Sequence, residues 1–294
     1  MQSKIPYAIE AKQVTVTFGK TKALNQFSCQ LEAGHIYGLL GRNGAGKSTF
    51  LRLVTAQLFT SKGEVLLNGE TPYNHPKQLS RICYVSDTPD FGGLSKVKDV
   101  LDVERRLHQN WDTELEKRLI SLFELDVKRK VKGLSRGMQT AVSLVCGLAS
   151  KAEITIFDEP SLGLDAVIRE RFYDALIDSY SNNPRTIIIS THLIDEVSRV
   201  IEKAIMLDHG KLILQENVDD LRQHGVDIIG TQEAVEKETE GLRILRKESF
   251  MGKTTYSVLL DSLRTFSPAV QVHPITLQRL FVLLTQDEGG VSDV

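Results

Sequence analysis

The amino-acid sequence predicts an α/β fold in which helices cover both faces of a parallel sheet. Residues 154–157 and 186–190 are short runs with an apolar, β-branched centre, as expected for central parallel strands. A third apolar run, residues 36–40, stops at a glycine-dense loop, and helix-compatible residues follow. Residues 169–180 are suited to the crossover helix between the first two runs.

The composition is that of a globular chain. Its 294 residues are enough for one large or two modest domains. Hydrophobic residues make up 41% and charged residues 25%, which excludes a disordered, collagen-like or coiled-coil chain. The net charge of −2 argues against a broad basic face, so no nucleic-acid partner is expected. Three widely spaced cysteines, Cys29, Cys83 and Cys146, predict buried thiols rather than disulfides or a zinc site.

Two features bear on the location of the chain. No apolar run reaches the length of about 18 residues that a membrane-spanning helix needs. Residues 1–10 lack the apolar stretch of a signal peptide. We therefore expect a cytoplasmic protein.

The N-terminal part predicts antiparallel strands with one covered face. Residues 9–18 mix alternation with β-branched residues, and residues 27–31 place apolar side chains at alternate positions. Another strand is expected over residues 64–67, because an Asn-Gly turn follows it. Pro72 and Pro76 are expected to interrupt any regular element after that turn.

Helical patterns then dominate, and they predict an inserted helical subdomain at about residues 88–150. Thr113 and Glu116 have the spacing of a capping box ahead of a leucine stripe. Ser135 is placed to cap the next helix, which has one apolar face.

The remaining chain predicts a hairpin and a small α+β appendix. The hairpin covers residues 205–214 around a His-Gly turn. Within an accessory region at 217–294 we expect a surface helix over 231–240, a strand over 256–260 and an amphipathic helix over 277–284.

The glycine-dense loop has the spacing G-x-x-x-x-G-K-[ST] of a phosphate-binding loop. Its residues are Gly41, Arg42, Asn43, Gly44, Ala45, Gly46, Lys47 and Ser48, and Thr49 follows in the helix. Small residues let backbone N–H groups surround a phosphate chain, and the helix N-terminus adds positive potential. Lys47 supplies a mobile charge, and the Ser48 hydroxyl can ligate Mg²⁺. This pattern predicts a P-loop NTPase core that binds the phosphate chain of a nucleotide together with Mg²⁺.

A second motif supplies carboxylates. The apolar run at 154–157 ends at Asp158 and Glu159, at the sheet edge where the loop would present phosphate. Asp158 is expected to bind Mg²⁺ through water, and Glu159 to orient or deprotonate the attacking water.

With these motifs in order, the chain resembles the ATP-binding subunit of an ABC transporter over roughly residues 5–214. The run Leu134, Ser135, Arg136, Gly137, Met138 resembles the family signature LSGGQ. The resemblance implies that Ser135 and Gly137 approach the γ-phosphate held by an opposite subunit. Ser135 can equally be a plain helix cap, and both roles are compatible.

Three further residues are assigned through the same resemblance. Asp165 ends a segment similar to the D-loop, which crosses the dimer interface. His192 matches the switch histidine that senses γ-phosphate. Phe18 fits the place of the aromatic residue that stacks on adenine, although on sequence alone a core phenylalanine is an equal alternative.

The chain departs from the family pattern at three positions. Asp87 stands where the Q-loop glutamine is expected, and Arg136 and Met138 replace a glycine and the glutamine of the signature. Aspartate cannot donate a hydrogen bond, but it can hold Mg²⁺ through water.

The resemblance implies a subunit that dimerises head to tail with itself or with a homologous ATPase subunit around two ATP molecules. It would hydrolyse ATP and power a separate integral membrane permease, in the manner of bacterial exporters, while peripheral on the inner face of the cell membrane. One alternative is a catalytically impaired, ATP-sensing regulatory subunit. Another is a soluble ABC-type ATPase outside transport, in DNA repair or translation.

Overall fold

The computed structural model describes residues 7–286. Predicted boundaries that include residues 5–6 and 287–294 extend outside these described residues. The strands are β1 (Ile9–Phe18), β2 (Thr21–Leu31), β3 (Ile36–Leu40), β4 (Lys62–Leu67), β5 (Ile82–Val85), β6 (Ile154–Asp158), β7 (Thr186–Thr191), β8 (Lys203–Asp208), β9 (Lys211–Asn217), β10 (Gly225–Gly230), β11 (Arg243–Phe250), β12 (Lys253–Leu259) and β13 (Gln271–Pro274). The helices are α1 (Lys47–Val54), α2 (Pro76–Leu79), α3 (Val97–Leu107), α4 (Thr113–Leu122), α5 (Arg136–Ala149), α6 (Ala166–Asn182), α7 (Ile194–Val197), α8 (Val218–His224), α9 (Gln232–Glu238) and α10 (Leu277–Thr285).

A six-stranded sheet forms the centre, in the order β5-β6-β7-β3-β8-β9. Its first five strands are parallel and β9 is antiparallel to β8. Strands β3, β6 and β7 are buried at every residue, which explains their apolar runs. The β8–β9 turn uses positive φ at His209 and Gly210, as a two-residue hairpin requires. The predicted α/β class and parallel core are confirmed.

A three-stranded antiparallel sheet, β2-β1-β4, lies at the N-terminal side. Helix α1 packs between it and the central sheet in one hydrophobic cluster. Within that cluster the Phe27 and Phe50 ring centroids are 5.1 Å apart. This packing places the start of α1, and therefore the glycine-dense loop, beside the β1–β2 hairpin.

The helical subdomain contains α3, α4 and α5 on the other face of the central sheet. Val97, Val100 and Leu101 are buried there, as their spacing predicted. Two local predictions were wrong, one inside this subdomain and one before it. Asp112, rather than Thr113, caps α4, because its side chain accepts a hydrogen bond from the Leu115 N–H. Pro76 does not interrupt regular structure but begins α2, where a missing N–H costs nothing.

The C-terminal region forms a four-stranded antiparallel sheet in the order β11-β12-β10-β13. Helix α9 connects β10 to β11, which gives the split βαβ topology with a loop in place of the second helix. Helix α10 buries Leu280 and Phe281 in the same hydrophobic cluster as the helical subdomain and α7. The α+β appendix is thus present, and the exact domain boundary stays a prediction.

Two further observations concern the whole described chain. No helix within residues 7–286 is both long enough and apolar enough to cross a membrane. Cys29, Cys83 and Cys146 are free and buried, as predicted.

Candidate functional site

The glycine-dense loop joins β3 to α1 and leaves the helix N-terminus open. Gly46 precedes the helix at φ 108°, and it has no side chain to cap the first N–H groups. A Cβ on Gly46 would lie 2.6 Å from the Ala23 carbonyl oxygen, and one on Gly41 would lie 2.6 Å from the Leu207 carbonyl oxygen. Only glycine fits at these two positions. Uncapped N–H groups at a helix N-terminus form a binding site for an anion such as phosphate.

Lys47 is buried and spans the loop. Its Nζ donates hydrogen bonds to the carbonyl oxygens of Gly41, at 2.8 Å, and Arg42, at 3.3 Å. The same Nζ lies 3.3 Å from Oε1 of Glu159. The ammonium group therefore connects the loop to the carboxylate motif at the end of β6.

Glu159 is held at a fixed position by three neighbours. Its backbone is left-handed, with φ 48°, and its N–H donates to the Ser190 carbonyl oxygen at 2.8 Å. Its Oε2 accepts a hydrogen bond from Thr191 Oγ1 at 3.2 Å and lies 3.0 Å from His192 Nδ1. Because β6, β7 and β3 are parallel neighbours, their carboxyl ends bring Lys47, Glu159 and His192 together.

Asp158 lies beside Glu159 and has one unbonded carboxylate oxygen. Its Oδ2 accepts a hydrogen bond from the Tyr84 hydroxyl at 3.1 Å. Its Oδ1 is buried without a hydrogen-bond partner. Burial raises the pKa of Asp158, and the nearby hydroxyls of Ser190, Ser48 and Tyr84 oppose that rise.

These groups fit a magnesium ion. A buried, unbonded carboxylate oxygen near the exposed Ser48 supplies the hard oxygen ligands that Mg²⁺ prefers. Within residues 7–286, no three His, Cys, Asp or Glu side chains form a metal-binding group. An ion at this point would therefore take most of its ligands from phosphate and water, as Mg²⁺ commonly does.

Asp87 follows β5 and is half-buried. Its Oδ1 accepts hydrogen bonds from the hydroxyls of Ser86 and Thr88, both at 3.2 Å. Its charge is near enough to contribute to the raised pKa of Asp158. The structure therefore brings this departure from the family pattern close to the carboxylate motif.

Phe18 is 51% exposed at the end of β1. It pairs with Thr21, two residues before Ala23, which abuts Gly46. The alternative of a core phenylalanine is therefore excluded, and its aromatic ring lies open at the hairpin beside the glycine-dense loop. Asn43 and Gly44 are exposed in that loop, Ala45 is buried, and Thr49 is half-buried in the first turn of α1.

Ser135, Gly137 and Asp165 have local roles within the chain. Ser135 and Asp165 cap α5 and α6 by accepting hydrogen bonds from the N–H groups three residues ahead. A Cβ on Gly137 would lie 2.5 Å from the Gly163 carbonyl oxygen, so the start of α5 packs closely on the loop before α6. Their approach to a nucleotide on a second subunit stays a prediction.

Sequence reasoning missed three hydroxyl groups that contact the site. Tyr84, Ser190 and Thr191 surround the two carboxylates from β5 and β7. Ser190 and Thr191 directly precede His192, so their position in the motif was visible. Tyr84 lies three residues before Asp87 in the segment compared with the Q-loop, but nothing in the sequence indicated its contact with Asp158.

Comparison with known proteins agrees with this geometry. Residues 24–162 match the family model "ABC transporter". The ABC transporter ATP-binding protein YtrB of Bacillus subtilis is 29% identical over 220 residues, which are 75% of each chain. The Nod factor export ATP-binding protein I of Sinorhizobium fredii is 32% identical over 239 residues, which are 78% of this chain and 68% of the relative.

A solved ATP-binding subunit of an ABC transporter has the same fold. It superposes with a TM-score of 0.66 and 23% identity over 73% of this chain and 92% of the other. From the loop, the carboxylates and these relatives together, we conclude that the chain belongs to the ABC transporter family of ATP-binding proteins.

Proposed function

We propose that this chain hydrolyses ATP and that Glu159 is the residue that prepares water for attack. The observation that carries the proposal is the position of the Glu159 carboxylate between Lys47 and His192, beside the uncapped N-terminus of α1. Such a site has a cation for phosphate oxygens, a base for water and a histidine to sense the terminal phosphate.

The loop and the residues around it then have distinct physical roles. The N–H groups from Gly44 to Thr49 accommodate the phosphate oxygens, and Lys47 moves its charge from backbone carbonyls to phosphate. Mg²⁺, when bound, neutralises developing charge on the phosphates. Ser48 and Asp158 would hold that ion, with Asp87 close enough to act through water. Phe18 offers an exposed ring on which adenine can stack.

We further propose a head-to-tail dimer. Ser135 and Asp165 are exposed at helix N-termini, so each is open to a second subunit. A helix N-terminus approaching from that subunit would cap the terminal phosphate through Ser135 and Gly137. The partner is a second copy or a homologous ATPase subunit.

The driven process is proposed to be export through an integral membrane permease. Support comes from family membership and from the relative named for Nod factor export. Binding to a permease would place the chain peripherally on the inner face of the cell membrane. Identification of the membrane protein that co-purifies with the chain tests this assignment.

Two substitutions test the hydrolytic site. Lys47→Ala is expected to abolish ATP binding, because the phosphates lose their mobile cation. Glu159→Gln is expected to retain ATP binding, to lose hydrolysis by at least about a hundredfold, and to accumulate an ATP-bound dimer on size-exclusion chromatography.

Matched controls are Lys117→Ala and Glu114→Gln, an exposed pair on α4. Both are expected to hydrolyse ATP at the wild-type rate. Normal hydrolysis by Glu159→Gln would refute the role given to that carboxylate.

A second candidate is an ATP-sensing regulatory subunit with impaired turnover. The acidic side chain of Asp87 near Asp158 favours it, because an added negative charge beside the carboxylate motif opposes the charge that develops on the phosphates during hydrolysis. Phosphate release measured with the permease present separates the two functions: the enzyme releases phosphate at every cycle, whereas the sensor does not.

A further inference from the structure

Tyr84 reaches the candidate metal site from a neighbouring strand. Strand β5 lies at the edge of the central sheet and pairs in parallel with β6, with Tyr84 opposite Ile156. The Tyr84 hydroxyl reaches the last residue of β6 and donates a hydrogen bond to Asp158 Oδ2 at 3.1 Å.

The Tyr84 ring is held in place by packing. It lies against the hydrophobic cluster between the central sheet and α1, which contains Ile82 and Ile156. The packed ring therefore holds the Tyr84 hydroxyl at one position beside Asp158. A donor fixed in this way fixes the plane of the carboxylate that it binds.

The two oxygens of Asp158 are consequently distinct. Oδ2 is occupied by Tyr84, whereas Oδ1 is buried without a partner. Without the Tyr84 hydroxyl, either oxygen could turn toward a cation. With it, Oδ1 is the oxygen that is left free of a hydrogen bond and available to a cation.

We propose that Tyr84 is a positioning residue for Mg²⁺: its hydroxyl holds Asp158 so that one oxygen alone faces the ion and its water. This inference rests on the proposed function, because it requires that ATP binds with Mg²⁺ at this site. The Tyr84 hydroxyl is then expected to raise the affinity for the metal ion and to leave the affinity for metal-free ATP unchanged.

The test is the Tyr84→Phe variant, which removes the hydroxyl and keeps the ring. Affinity for ATP is measured twice by equilibrium dialysis, with excess Mg²⁺ and with a chelator. Affinity for Mn²⁺ in the presence of ATP is measured by electron paramagnetic resonance. Tyr180→Phe is the matched control, because its hydroxyl bonds to the Gly34 carbonyl oxygen away from the loop.

Tyr84→Phe is expected to weaken Mn²⁺ binding by about tenfold. The ratio of the ATP affinity with Mg²⁺ to the ATP affinity with a chelator is expected to fall by a similar factor. Metal-free ATP affinity and the thermal midpoint of unfolding are expected to match those of Tyr180→Phe.

Three outcomes overturn the inference. Unchanged Mn²⁺ affinity in Tyr84→Phe would show that the hydroxyl does not position the metal ligand. Equal weakening with and without metal would show a structural role alone. Wild-type protein that binds no ATP under either condition would refute the proposed function as well, which distinguishes that failure from the first two.

Discussion

Glu159 combines a central position in the candidate site with an unfavourable backbone conformation. A non-glycine residue at φ 48° lies in the left-handed region, which costs on the order of 1 kcal/mol. The same conformation lets its N–H reach the Ser190 carbonyl oxygen while its carboxylate contacts Lys47, Thr191 and His192. Strain of this kind is typical of functional sites, because the surrounding contacts enforce it.

Asp87→Gln is expected to shift the acid limb of ATP hydrolysis to lower pH. Burial and the Asp87 charge both raise the pKa of Asp158. The neutral amide removes one of these causes, so the pKa of Asp158 falls and its carboxylate stays ionised in more acidic solution. The ratio of the rate at about pH 5.5 to the rate at about pH 7.5 should therefore rise.

The matched control for this shift is Asp90→Asn in the same loop. Asp90 is exposed, and its carboxylate accepts a hydrogen bond from the Gly92 N–H. Its pH profile should coincide with that of the wild type. An acid limb that stays in place in Asp87→Gln would contradict the electrostatic argument.

Gly137→Ala is expected to lower the free energy of unfolding by about 1–3 kcal/mol, because the new methyl group would collide with the Gly163 backbone. The matched control is Gly133→Ala, just before the start of α5, where a Cβ would meet no atom within 4 Å. Urea denaturation should place this control within about 0.5 kcal/mol of the wild type. Equal stability of the two variants would argue against close packing at Gly137.

At the residue scale, the loop was predicted from its fixed spacing and the two carboxylates from their place at the end of a buried strand, whereas His192 was assigned through the resemblance to the family. The sequence did not predict how these residues contact one another. The hydrogen bond from Tyr84 to Asp158 joins residues 74 positions apart, and it depends on the pairing of β5 with β6. Strand order of this kind is not encoded in local spacing.

At the scale of elements, helix ends were harder to predict than helices. The stripe of α4 was visible, but Asp112 and Thr113 are both good capping residues, and tertiary packing decides between them. Likewise a proline such as Pro76 either interrupts a helix or occupies its first position, depending on where the helix begins.

Helices α3 and α4 are joined by a clamp around Glu116. Glu116 is 5% exposed, and its carboxylate accepts two hydrogen bonds from Arg105 and one from the Trp111 indole N–H. A buried carboxylate needs such partners, because burial without them is costly. The clamp therefore connects the two helices through side-chain hydrogen bonds.

Arg105→Ala is expected to lower the free energy of unfolding by about 2 kcal/mol, since it removes charged hydrogen bonds from a buried carboxylate. The control Arg118→Ala breaks an exposed pair with Asp178 and should cost less than about 1 kcal/mol. Trp111 is the single tryptophan of the chain, so its fluorescence follows both urea titrations. A loss in Arg105→Ala no larger than in the control would refute the clamp.

At the scale of the whole molecule, the sequence predicted the layers better than the C-terminal sheet. The central strands are buried on both faces, which gives strong apolar runs. Strand β11, in contrast, is an exposed edge strand rich in charged residues, and β13 has four residues, so neither has a clear strand pattern.

Leu280→Ala tests whether the last helix stabilises the entire chain. Leu280 is 1% exposed within the large hydrophobic cluster, so the cavity should cost about 2–5 kcal/mol. Val282, on the same helix, is 41% exposed, and Val282→Ala should change stability by about 0.5 kcal/mol or less. Trp111 fluorescence should show the loss, because Trp111 packs against the same cluster. A transition at the wild-type urea concentration would show that α10 does not stabilise the helical subdomain.

The burial of Cys29, Cys83 and Cys146 has a practical consequence. Maleimide dyes react with accessible thiolates, so the native chain should label slowly while it stays folded. A Met251→Cys substitution at the tip of the β11–β12 hairpin, where the side chain is 87% exposed, would then give one attachment point per molecule. Energy transfer between two such dyes would measure the distance between two copies with and without nucleotide, and so would test the proposed dimer.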